Sequence, residues 1–147
     1  MGDLILKSPA FENGAEIPSR YTCDGENINP TLIIENVPEG VKSLVLIMDD
    51  PDATGGATWD HWLLWNILPE TKEISENSVP AGAIQGKTSW GTNKYGGPCP
   101  PKGSNPHRYL FKLYALDTVL DLTSDTNKAD LEKAMEGHIL AQTLLMG

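Results

Sequence analysis

Cysteine, phenylalanine and histidine are scarce in this 147-residue chain, with two, two and three copies. Cys23 and Cys99 form neither a CxxC pair nor a zinc spacing, which excludes a cysteine-based metal centre. They read as free thiols; a bond between them stays open, because sequence does not give their separation. Basic residues are also few, 11 Lys and Arg against 20 Asp and Glu, for a net charge of −9. That balance, with no basic run, excludes nucleic acid or an anionic membrane surface as a nonspecific partner. No apolar run approaches the roughly 20 residues of a spanning helix, so no integral membrane association is expected. The opening MGDLILKSPAF lacks a charged stretch followed by a long apolar one, so no export signal is expected. Gly2 resembles a myristoylation start, but Leu6 stands where that motif wants Ser or Thr. The expectation is a cytoplasmic protein.

Hydrophobic residues make up 39% and charged residues 21%, the balance of a globular chain of one domain, 1–147. Short alternating segments separated by turn signals dominate. TLIIEN (31–36), SLVLIMD (43–49), HWLLWNI (61–67), AIQG (83–86), HRYLFKLYAL (107–116) and 138–145 read as strands. HWLLWNI is apolar on both alternating faces, as a central strand is. The helical pattern is NKADLEKAME (127–136), with Thr126 or Asn127 as N-cap and Gly137 as stop. The fold class is therefore mostly β, with one or two short helices near the C-terminus.

Glycine and proline are concentrated rather than absent. From Lys94 to Pro106, seven of thirteen residues are Gly or Pro. Such a segment forms neither helix nor central strand, and reads as a shaped loop leading into the 107–116 strand. Its X-Pro bonds at Gly97-Pro98 and Cys99-Pro100-Pro101 are candidates for cis geometry.

Period-two alternation sorts the polar residues. His107 and Tyr109 share a face with Phe111, Leu113 and Ala115. Asp50 ends a row of Leu44, Leu46 and Met48, and His61 opens a row of Leu63, Trp65 and Ile67. If the 43–50 strand is antiparallel to the other two, these ends meet on one rim beside the Trp59 indole. Each has a bland reading: a histidine at a strand end is commonly a structural hydrogen-bonder, and Asp before Pro a turn former. His138, after the helix stop, takes that structural reading. Convergence of parity and loop context favours one small functional pocket at Asp50, His61 and His107. The rival is an enzyme, since two His and one Asp also compose a metal site or an acid–base pair. No GxSxG is present to support hydrolysis, and Ser104 near His107 is weak evidence for it.

At those residues the sequence resembles the phosphatidylethanolamine-binding protein family, in its prokaryotic Raf-kinase-inhibitor-like branch. YTCDGENINPTL, SLVLIMDDPDA, WDHWLLWNI, GTNKYGGPCPPKG, HRYLFKLYALD and MEGHIL carry the likeness over nearly the whole chain. Two segments are signatures, Asp50-Pro51-Asp52-Ala53 and the run through Gly103, His107 and Arg108. The resemblance implies two antiparallel sheets, no cofactor, no catalytic residue, and a pocket for phosphate, acetate or a phosphorylated head group. Its lining falls on Asp50, Ala53, Trp59, His61, Cys99, Pro101, His107 and Tyr109, with Asp52 and Arg108 paired as support. Thr54 and the glycines after it depart from the DPDAP of many relatives, which implies a looser pocket mouth. A protein-inhibitor role is implied only by family analogy. It names no protein partner, and homodimerisation stays open.

Overall fold

The computed structural model describes residues 3–53, 57–99 and 107–147. In chain order its strands are β1 (Ile5–Lys7), β2 (Leu32–Glu35), β3 (Ser43–Asp50), β4 (Trp59–Ile67), β5 (Glu73–Ile74), β6 (Ile84–Gln85), β7 (Leu110–Leu116) and β8 (Ile139–Met146). Helix α1 (Lys128–Met135) precedes β8, and a 3-10 turn (Ser19–Tyr21) follows β1. Two antiparallel sheets result, ordered β1-β2-β5 and β6-β4-β3-β7-β8. This is the mostly-β, two-sheet class that the sequence implies, with one α-helix among the described residues. β1 and β5 escape sequence reading because two or three residues are too few to show alternation.

All eight residues of β3 are buried, which explains its unbroken apolar run SLVLIM. One face contributes Leu44, Leu46 and Met48 to a core shared with Leu6, Leu32, Ile34 and Ile74 of the smaller sheet. The other face packs Val45 and Ile47, with Leu63 and Trp65 of β4, beneath Leu131 and Met135 of α1. The helix starts where expected: the Asn127 side chain accepts from the Asp130 N–H at 2.9 Å, satisfying one orphan donor. Gly137 follows it at φ +79°, a conformation that favours glycine.

β4 departs from simple alternation twice. Between the pairs Leu44↔Ile67 and Leu46↔Leu64 it carries one residue more than β3. Asn66 lies in that stretch at φ +57°, and its side-chain amide bonds both backbone groups of Leu120 at 2.8 Å. Between Met48↔Trp62 and Asp49↔Asp60 the extra residue is His61. The expected row His61–Leu63–Trp65–Ile67 is thus broken at both ends. Ile67 joins the core between the sheets, while Leu63 and Trp65 stay under the helix.

The cysteines are the second correction. Cys23 and Cys99 form a disulfide, their Cα atoms 5.4 Å apart across 76 positions of sequence. Expected as free thiols, they are brought together by the fold itself. The Gly97–Pro98 bond is trans, not cis.

Candidate functional site

β3 runs antiparallel to both β4 and β7, so the end of β3 meets the starts of the other two on one rim. Asp50 stands at that end, with 3% of its surface exposed. Its Oδ2 accepts from His107 Nδ1 at 2.7 Å. Asp50 is buried and the His107 side chain is largely shielded, so each holds the other's orientation. The bond assigns the His107 proton to Nδ1 and leaves Nε2 to accept while the ring is neutral.

His61 reaches the same cluster through the bulge. Strict alternation would aim it under α1, with Leu63 and Trp65. The extra residue turns its ring instead into edge contact with Tyr109, centroids 5.5 Å apart, and with Trp90, 5.0 Å apart. His61 Nδ1 donates to the Gly96 carbonyl at 2.7 Å, and the Gly96 N–H returns a bond to the His61 carbonyl at 3.1 Å. Burial holds the His61 pKa below its usual value, outweighing the Gly96 carbonyl and nearby carboxylates that favour the cation. The resting ring is neutral at pH 7.

Trp59 pairs across the strands with Asp50 and stacks edge-on against Trp90, centroids 5.5 Å apart. Its indole Nε1 and the Tyr109 hydroxyl are buried polar atoms without a hydrogen-bond partner among the described residues. Burial first, then the Asp50 and Asp52 charges, pushes the Tyr109 pKa up, so the phenol keeps its proton. Two donors thus lie beside the cluster with nothing to receive them. Trp90 belongs here too and no sequence signal marked it; it sits in a loop with no alternation to read. Gly96 makes room for it, since a Cβ there would overlap the Trp90 ring.

One wall of the site is the 95–99 segment, docked onto residues 21–27. The Tyr95 hydroxyl donates to the Tyr21 carbonyl at 2.8 Å and Gly97 N–H to Asn27 Oδ1 at 2.8 Å. Cys23 N–H donates to the Pro98 carbonyl at 3.1 Å, beside the disulfide to Cys99. A Cβ on Gly97 would collide with the Tyr21 carbonyl and the Asn27 side chain, so only glycine fits this approach. Outside the cluster, Arg108 grips Asp52 with Nε at 2.9 Å and NH2 at 3.0 Å, plus its backbone N–H at 2.9 Å. Those bonds hold the Asp52 carboxyl at a pKa of about 2. A cavity of about 530 Å³ reaches His107, Arg108 and Tyr109 from the side of Ile17, Thr22 and Met146.

The structure brings together Asp50, Trp59, His61, His107 and Tyr109. Ala53 is half-buried in the turn after β3, with no contact to the cluster among those described. Cys99 is in the wall as a disulfide, and Pro101 lies outside the described residues. His138 is elsewhere, exposed and bonded to Asp117 at 2.8 Å. Among the described residues no group of His, Cys, Asp and Glu is arranged to hold a metal ion.

Acid is expected to destabilise the protein in two stages. Folding lowers the His61 pKa, so that contribution is complete above the ordinary value of 6.5 and is lost as pH falls below it. Asp52 contributes above its ordinary 3.8 and loses that contribution as pH falls toward 2. Denaturant midpoints measured from neutral pH downward test both stages. A midpoint constant through the histidine range would contradict the neutral, buried His61.

By fold and site, the chain is a mostly-β protein with a buried polar and aromatic cluster at one rim of its larger sheet. A family model described as phosphatidylethanolamine-binding protein matches residues 7–147, and the chain belongs to that family. It is 51% identical over 149 residues to a UPF0098 protein of Methanothermobacter thermautotrophicus, covering 98% of this chain and 97% of the relative. A solved phosphatidylethanolamine-binding protein homologue from Chlamydia trachomatis superposes with a TM-score of 0.92 at 40% identity, covering 99% of this chain and 95% of the other. YbcL of E. coli, described as a member of the mammalian PEBP family, gives 0.92 at 30% identity, covering 99% and 96%. None of these names designates an enzyme, and no described helix is long and apolar enough to cross a membrane.

Proposed function

We propose that the chain binds a small anion, phosphate or a phosphorylated head group, at Asp50, His61, His107 and Tyr109, and acts by binding rather than turnover. The buried, unsatisfied donors Tyr109 O–H and Trp59 N–H carry this reading. An acceptor-rich ligand is what they lack. The family's name points to the same head-group chemistry.

The tautomers set how the proton enters. With Nδ1 of both rings donating to Asp50 and Gly96, a neutral Nε2 has only a lone pair to offer. An anion therefore brings its proton, as a P–O–H donating to Nε2, or draws one onto the imidazole, which then donates back. Either route takes up a proton on binding, so affinity falls as pH rises through the histidine range. Asp52 and Arg108 would brace the two loops beside the pocket, and the Cys99 end of the 95–99 wall would limit its size.

NMR of the three imidazoles during titration with inorganic phosphate and with phosphoethanolamine tests the reading. His61 and His107 should shift together while His138 stays still, more strongly at the lower of two pH values. Tyr109→Phe should weaken binding about tenfold, the worth of one hydrogen bond to a charged group. Unmoved imidazoles at millimolar ligand would sink the proposal. Turnover of a chromogenic phosphoester that His107→Ala abolishes would replace binding with catalysis.

A further inference from the structure

The cavity of about 530 Å³ beside the rim plays no part in holding the anion, yet it shares two side chains with the cluster that does. His107 and Tyr109 line it, and both also belong to the group around Asp50 and His61. Its volume lies within the range of small-molecule sites and exceeds what a phosphate group alone requires.

Both walls of this cleft are pinned. On one side the Gly14 N–H donates to the Met146 carbonyl and the Met146 N–H to Asn13 Oδ1, both at 2.8 Å, which ties the 13–17 segment to the end of β8. Gly147 then exchanges both backbone bonds with Tyr109, at 2.9 and 3.1 Å, and a Cβ on Gly147 would overlap the Ile17 side chain. On the other side Thr22 and Pro98 are held by the Cys23–Cys99 bond and by the Cys23 N–H, which donates to the Pro98 carbonyl at 3.1 Å. A cleft built this way exists before a ligand arrives, so filling it costs little ordering.

Its chemistry is graded. The inner end is the His107 ring, with Nδ1 committed to Asp50, and the Tyr109 phenol, whose hydroxyl has no partner among the described residues. Ala15, Ile17, Pro98 and Met146 add hydrocarbon. Arg108 borders the cleft, but its Nε, NH2 and backbone N–H are all given to Asp52. Glu16 and Asp24 bring carboxylates to the same border, so a second negative charge on a ligand is disfavoured there. Across Tyr109 from the cleft, His61 meets Trp90 and Trp90 meets Trp59, ring against ring.

We infer that the cleft is a second subsite for the same ligand, taking an uncharged, apolar substituent esterified to the phosphate held at His107 and Tyr109. The inference rests on the anion-binding reading above. It makes the preferred ligand a phosphate monoester of an apolar alcohol, ahead of inorganic phosphate and of phosphoethanolamine.

Titrations with ethyl phosphate and hexyl phosphate test it, followed by NMR of the imidazoles and of the Ile17 and Met146 methyl groups. Hexyl phosphate should bind about tenfold more tightly or better, since a fully buried methylene is worth about fourfold and the cleft is open on one side. Its chain should shift the Ile17 and Met146 methyls, whereas ethyl phosphate should move His61 and His107 alone. Ala15→Phe fills the cleft from an exposed position, and Met146→Gln makes its wall polar. Each should cut the hexyl preference to about threefold or less and leave the affinity for ethyl phosphate unchanged. Equal affinities with shifted imidazoles would overturn the subsite and leave the anion site standing. Methyl shifts with unmoved imidazoles would overturn both, because the chain would then bind without its phosphate at His107. A hexyl preference that neither variant reduces would put the chain outside the cleft and overturn the inference. Failure of either ester to bind at millimolar concentration would overturn both readings.

Discussion

Reducing the Cys23–Cys99 bond should lower the free energy of unfolding by about 4.5 kcal/mol, the loop-closure value for residues 76 apart. The bond acts mainly on the unfolded chain, which it denies a large share of its conformations. Denaturant melts with and without a dithiol reductant measure the difference directly. Cys99→Ser should lose the same amount, and reductant should then add nothing. Equal midpoints for the oxidised and reduced protein would show the cysteines unpaired in solution. The effect should also be felt locally. Cys99 ends the wall that carries Gly96, and Gly96 fixes the His61 tautomer, so reduction should loosen the pocket before it unfolds the protein. Broadening of the His61 resonance at a reductant level that leaves the fold intact would report that order.

Lys128→Met is expected to destabilise the protein by about 3 kcal/mol, by stranding a buried carboxylate. Lys128 Nζ lies 3.1 Å from Asp49 Oδ2 and 2.7 Å from Asp60 Oδ1, and Lys112 shares Asp49 Oδ2 at 2.9 Å. Asp49 is fully buried, and its Oδ1 has no hydrogen-bond partner among the described residues. With Lys128 gone, Asp60 loses its lysine and Asp49 keeps only Lys112. Replacing Asp60 by Asn as well should recover part of the loss, because the carboxylate left without a lysine leaves with it. A double variant no more stable than the single one would locate the effect in lost packing instead. Burial alone would lower the Lys128 pKa, but bonds to Asp60 and the charge of Asp49 outweigh it and hold it above the ordinary lysine value. Its contribution is therefore complete below the ordinary 10.5 and is lost as pH climbs through the raised folded value. Asp49 and Asp50 are consecutive, yet one binds lysines under the helix and the other binds His107 at the rim. Pinning the first fixes where β3 ends and so where the second points.

Much of the site was legible because β3 and β7 pair without interruption from Ser43↔Leu116 to Asp49↔Leu110. On such strands alternation carries reliably to the ends, so Asp50, His107 and Tyr109 fall on one face as the sequence predicts. His61 reached the cluster for a reason the sequence hides. Alternation placed it with Leu63 and Trp65, and a one-residue bulge moved it. Nothing local in WDHWLLW announces a bulge there; it is fixed by how β4 must meet β3 further along. The disulfide was invisible for the same kind of reason, since its separation is a property of the assembled fold. Trp90 lay in a loop, where no period exists to be read. The helix cap at Asn127 and the stop at Gly137 were local chemistry and could be read directly.

The bulge at His61 also determines which changes in length the protein can absorb. The connection between Asp50 and Trp59 can gain or lose residues while leaving the rim's rows in phase. Between Trp59 and Trp62 there is no such latitude, because strand register moves in whole residues and each step exchanges the two faces. Deleting one residue there would return β4 to plain alternation and remove the imidazole from the rim entirely. Lineages descending from such a chain are therefore free to change the length of that connection, but can alter the rim at His61 only by substitution.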